Sequence, residues 1–195
     1  MKNILKVAAV AAVAAVLTTT VQATPITGVI GFAGTAALDQ PTASSSTEVL
    51  SWGNNNIGLH SGTFASLSPL ATVALASPWF FNSGAKNNFW VVTDITGTYT
   101  FNLSSSSVFS TGNANGTTSI SIFLAGTVVS TIAGLDPTAF TGSMTIQDPS
   151  VANGNKTYSY TESISFSSVP DGGTTVLLLG SALSGLALLR RKLSA

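Results

Sequence analysis

The chain has 195 residues, no cysteine, seven acidic and seven basic side chains, and only 7% charged residues, against about 25% in an ordinary globular protein. Without cysteine there can be neither disulfides nor thiolate metal sites. With zero net charge and no basic stripe, nothing matches the phosphate backbone of a nucleic acid. The length suits one domain plus targeting segments.

The chain opens with "MKNILKVAAVAAVAAVLTTTVQA". Lys2 and Lys6 form a positive start, Val7 to Leu17 an apolar core, and Val21 and Ala23 the small residues before a cut between Ala23 and Thr24. This tripartite pattern predicts a signal helix over residues 1–23, removed by signal peptidase on export. The apolar run is short for a permanent anchor.

Between Thr24 and Ser168 there are two lysines (Lys86, Lys156) and six acids (Asp39, Glu48, Asp94, Asp136, Asp148, Glu162), so this part carries a net −4 (two minus six). Its surface must be built mainly from Ser, Thr, Asn and Gly. Three stretches alternate with period two, the pattern of a half-buried strand. Tyr99, Phe101 and Leu103 share one face in "TGTYTFNLSS", and Ile120, Ile122 and Leu124 share one in "TTSISIFLAG". In "KTYSYTESISFSS" the apolar face holds Tyr158, Tyr160, Ile164 and Phe166, with Ser and Thr opposite.

Asn115-Gly116 and Asn153-Gly154 are hairpin signals, because both residue types tolerate positive φ. Asp136-Pro137 and Asp148-Pro149 mark further turns. Two polar, Gly/Asn/Ser-rich stretches, Asp39 to Glu48 and Ser51 to Gly62, read as loops. Many short strands with frequent turns predict a mainly β domain over residues 24–168, an antiparallel β-sandwich or jelly roll.

Little here points to catalysis. His60 is the only histidine, so a two-histidine metal site is impossible, and the chain has no G-x-S-x-G elbow to support a hydrolase. His60 reads as a loop residue. The acids are too scattered to name a glycosidase pair. Glu162 falls on the apolar face of its strand; an inward charge on an edge strand explains this, and a carboxylate in a cleft is the sharper alternative. Trp79 and Trp90 could offer ring faces for sugar stacking, as in a carbohydrate-binding module; core filling is the simpler reading. No cofactor is implied.

The chain ends "VPDGGTTVLLLGSALSGLALLRRKLSA". Thr174 to Leu189 is free of charge for sixteen residues. A helix of that length spans ~24 Å, short of a ~30 Å hydrocarbon core. Arg190, Arg191 and Lys192 would hold the following residues in the cytoplasm. Signal and tail thus predict one topology, with the middle exported and the last residues inside. Pro170 lacks an N–H, and Gly172-Gly173 resists regular structure, so this stretch stays extended beside the membrane.

A short turn motif, an apolar segment and an Arg-rich stop at the C-terminus resemble the PEP-CTERM class of sorting signals, most closely its VPDSG-CTERM variant. The resemblance implies that Val169, Pro170, Asp171, Gly172 and Gly173 form the recognition motif, with Gly172 where the variant carries Ser. It makes 174–189 a transmembrane helix and 190–192 the stop. The implied partner is an exosortase, a multi-spanning membrane protease or transpeptidase, met at the inner membrane. The expected protein is then a single-pass precursor that becomes a surface or extracellular matrix component, in contact with exopolysaccharide or with its own copies.

Overall fold

The computed structural model of the chain describes residues 23–68, 70–114, 116–149 and 158–166. Eleven strands are present among these: β1 (Thr24–Pro25), β2 (Val29–Leu38), β3 (Glu48–His60), β4 (Thr72–Leu75), β5 (Trp79–Phe80), β6 (Lys86–Asp94), β7 (Gly97–Ala114), β8 (Thr117–Ser130), β9 (Leu135–Asp136), β10 (Thr138–Gln147) and β11 (Tyr158–Phe166). The expected mainly β, antiparallel character is present. The expected division into two stacked sheets is not. One continuous ladder of nine strands runs β4-β6-β7-β8-β10-β11-β2-β3-β5, and β1 forms a separate two-residue parallel pair with β9. The predicted signal and transmembrane helices lie outside the described residues. No helix among the described residues is long and apolar enough to cross a membrane.

The sheet curls on itself. Taken around the ladder, β2, β3, β4, β6, β7, β8, β10 and β11 follow chain order, and β11 returns to pair with β2. This is an up-and-down arrangement of eight strands. Eight strands enclose an interior that side chains can just fill. Between β3 and β4 no backbone ladder forms among the described residues. Side chains bridge that seam instead: Trp52 Nε1 donates to Ala76 O at 2.9 Å and Asn55 Nδ2 to Val73 O at 3.4 Å.

Alternation decides which side faces in. In β11 every second residue is buried from Tyr158 to Ile164, while Ser159, Thr161, Ser163 and Ser165 are exposed. β8 and β10, and β7 as far as Leu103, follow the same rule. Apolar inside and hydroxyl-rich outside is the reverse of a membrane-spanning barrel. The interior is dominated by aromatic rings. Phe101 lies within 6.2 Å, centroid to centroid, of Phe32, Phe64, Trp90, Phe140 and Phe166. Gly126 points inward beneath Phe140; a Cβ there would stand 2.1 Å from Asn102 O and 2.8 Å from the Phe140 ring.

The hairpin predicted at Asn115-Gly116 is present, with Ala114 paired to Thr117 and Gly116 at φ +79°. Asp39 to Glu48 forms the expected loop, with a 3₁₀ turn at Ala43–Ser45 and only Glu48 entering β3. Ser51 to Gly62 corrects the sequence reading: most of it is β3 rather than a loop. Its Asn/Gly composition conceals the strand because the register to β2 slips repeatedly, with Asn54 at φ +50°. Residues able to take positive φ let the chain bulge and stay paired. The Asn153-Gly154 turn lies outside the described residues.

Candidate functional site

The first and last strands of the described domain come together at one pole of the barrel. Thr24 N donates to Gly134 O at 2.7 Å, and Ile26 N to Thr138 Oγ1 at 2.8 Å. Thr138 begins β10, and two residues on, Phe140 pairs with Phe166, the last residue of β11. Cleavage between Ala23 and Thr24 would leave an α-ammonium that can still donate to Gly134 O. The predicted sorting motif Val169–Gly173 and the predicted stop Arg190–Lys192 lie outside the described residues. In sequence the motif begins three residues after β11 ends.

The opposite pole carries the β7–β8 hairpin and is organised by two carboxylates. Asp148 Oδ1 accepts from Ala43 N at 2.7 Å, and its Oδ2 accepts from Thr118 N at 2.8 Å and Thr118 Oγ1 at 2.6 Å. Asp39 accepts from Thr47 and Glu48 in the same way. Partial burial pushes each carboxyl up, but the donated hydrogen bonds outweigh it and hold both below their ordinary values. Their contribution is therefore present above the unfolded-state pKa and lost as pH falls through the lowered one. Asp148→Asn, which weakens the charged acceptor, is expected to cost about 1 kcal/mol. Denaturant midpoints at pH 7 would show this, with the difference shrinking toward pH 3.

The residues singled out for binding fall differently. Trp79 and Trp90 are 1% and 0% exposed, which corrects the sugar-stacking reading. Trp79 packs on Trp52, Phe81 and Phe89 and donates Nε1 to Ser83 Oγ at 3.1 Å. Trp90 is ringed by Phe32, Phe89, Phe101 and Phe140. Both fill the interior because large rings remove most area from water.

His60 is exposed at the end of β3, its Nδ1 3.1 Å from Gly58 O. A backbone carbonyl thus stands where a triad would place its acid. Ser61 Oγ accepts from Val29 N at 3.2 Å. His60 lines a cavity of about 300 Å³ with Asn56, Ile57, Leu67, Ser68 and Ala71. Among the described residues no group of three or more metal-ligating side chains exists.

Glu162 is the residue whose setting the sequence misjudged. β11 is a central strand, paired with β10 and β2, so the edge-strand explanation fails. Glu162 stands in register between Met144 and Phe32, and both its carboxyl oxygens are buried without a hydrogen-bond partner. Burial pushes its carboxyl well above the ordinary range. Tyr160, next inward on the strand, is pushed up by burial and by the Glu162 charge. Trp90 Nε1 is the third buried side-chain polar atom lacking a partner among the described residues. Both carboxyl oxygens of Glu162 lie in the packed interior rather than in an open cleft.

The strongest functional signal lies in the tail. No curated protein and no solved structure matches the chain. The family model of the VPDSG-CTERM motif matches residues 168–193. The chain therefore carries a VPDSG-CTERM motif, which marks it as an exported substrate of exosortase-type C-terminal sorting.

Proposed function

We propose that the protein is a non-enzymatic β-domain delivered to the cell envelope, where it serves as a structural or adhesive component of an exopolysaccharide matrix. It is made as a single-pass precursor, cut after Ala23 by signal peptidase and within or beside Val169–Gly173 by an exosortase-type enzyme. The carrying observation is the sorting motif over residues 168–193.

The outer face supports the matrix role. In register across β8, β10, β11 and β2 run Ser119, Gln147, Ser159 and Thr35, then Ser121, Thr145, Thr161 and Ala33. No charged side chain stands in these rows. Such a surface can exchange hydrogen bonds with a neutral polysaccharide without desolvating a charge. The reading gives no chemical role to His60.

Replacing Arg190, Arg191 and Lys192 together by Ala removes the cytoplasmic stop. The expected result in the native cells is loss of the processed surface form and accumulation or release of unprocessed chain, read by fractionation and immunoblot. Unchanged amounts of processed surface protein would refute the sorting step.

A further inference from the structure

We propose that the pole where the chain's two ends emerge is a lipid-contacting face, on which the barrel rests against the bilayer entered by its own tail. This rests on the single-pass precursor proposed above.

Three large apolar side chains stand almost free at this pole. Ile95, in the β6–β7 turn, is 94% exposed, Leu70, just before β4, is 87% exposed, and Leu59, near the end of β3, is 73% exposed. Leu70 precedes β4, whose first residue Thr72 pairs with Thr93, so Leu70 and Ile95 lie at the same end of the β4–β6 pair. The cavity shared by His60 with Leu67, Ser68 and Ala71 brings the end of β3 beside that loop. These apolar tips therefore share one pole. Exposed apolar groups of this kind mark contact with a membrane or a partner.

The tethers decide between occupants. Eight residue steps separate Phe166 from Thr174, where the apolar tail segment begins; fully extended they span about 28 Å. A ten-residue strand such as β10 is about 33 Å long. A stretched tether thus hardly reaches the length of the barrel, and the pole it leaves stays nearest the bilayer. The other end, Thr24, leaves the same pole toward the signal segment. Asp94 and Asp136 are the carboxylates here, and Lys86, the one lysine among the described residues, begins β6 at the far pole. The contact is therefore apolar, with no draw toward anionic lipid, and salt should not abolish it.

The chain lacks cysteine, so single Cys variants take one label each. Leu70→Cys, Ile95→Cys, Phe80→Cys and Ser184→Cys in the full chain would carry an environment-sensitive fluorophore. Each would be placed in phosphatidylcholine vesicles with quencher-bearing lipid. Phe80 is a control of the same chemistry, 57% exposed at the far pole, and Ser184 reports the tail. Unchanged circular dichroism would confirm folding of each variant.

The expected result is strong quenching at 184, clear intensity loss at 70 and 95 that survives added salt, and little at 80. Quenching at 184 without quenching at 70 and 95 overturns the lipid-facing pole while leaving the tail reading intact. Equal quenching at 70, 95 and 80 overturns the orientation. Shielding of 70 and 95 that grows with protein concentration, without lipid quenching, assigns the face to a second copy and overturns the proposal. Absence of quenching at 184 overturns the anchoring reading and this inference with it.

Discussion

Phe101→Ala is expected to destabilise the domain by about 4 kcal/mol, the range for removing a large aromatic side chain from a packed core. Phe101 is fully buried on β7 and meets five aromatic rings from four other strands and the Phe64 turn. Its loss leaves a void bounded by Phe32, Trp90, Phe140 and Phe166, which belong to β2, β6, β10 and β11. These strands are pinned by their ladders and cannot collapse inward together. A total stability of about 5–15 kcal/mol is usual, so the variant should be marginal or unfolded at 37 °C. Chemical denaturation of Phe101→Ala beside Phe101→Leu measures this. A loss below about 1 kcal/mol for the alanine variant would mean that these rings are not the core.

Glu162→Leu is expected to act in the opposite direction and stabilise the domain at pH 7 by about 2 kcal/mol, the scale of burying an unpartnered polar group. In a domain of this size that is roughly 5 °C in Tm. Leucine fits a site bounded by Met144 and Phe32. The pH profile tests the cause. Burial raises the folded-state pKa of Glu162, so the folded protein holds a proton that the unfolded chain releases above about pH 4.3. Stability should therefore fall as pH rises from there toward the raised value. Asp148 and Asp39 contribute with the opposite sign, losing their support at lower pH. Maximum stability is expected near the point where the two trends cross, at about pH 4–5. Glu162→Gln should flatten the upper limb without abolishing folding. A wild-type profile that rises between pH 5 and 8, or a Gln variant with an unaltered slope, would contradict the buried carboxyl.

The sequence revealed strand interiors more clearly than their assembly. Period-two alternation located Tyr99, Phe101, Leu103, Ile120, Ile122, Leu124, Tyr158, Tyr160 and Ile164 on buried faces, because in a sheet the face follows directly from spacing along the chain. β3 was hidden, since Asn and Gly at its bulges break that spacing. Closure of the sheet was hidden too. Pairing of β11 with β2 joins residues more than a hundred positions apart, and no local pattern encodes it. The same omission misplaced Glu162: its inward direction was legible, but whether its strand lay at an edge depends on strand order.

Trp79 and Trp90 show why residue type alone is a poor guide to a binding platform. The same ring that stacks on a sugar can fill a barrel. The tail was readable for the opposite reason, because a linear motif is recognised as sequence and needs no assembled fold.

Under the proposed function, this barrel is cut free at both ends on its way to the cell surface. Intact-mass analysis of the protein isolated from its native cells tests it most directly. The predicted mass belongs to a chain that begins at Thr24 and ends within or beside Val169–Gly173, with any group attached there adding its own increment. A mass that retains the sequence through Arg190, Arg191 and Lys192 to Ala195, in cells that express the sorting enzyme, would contradict the account.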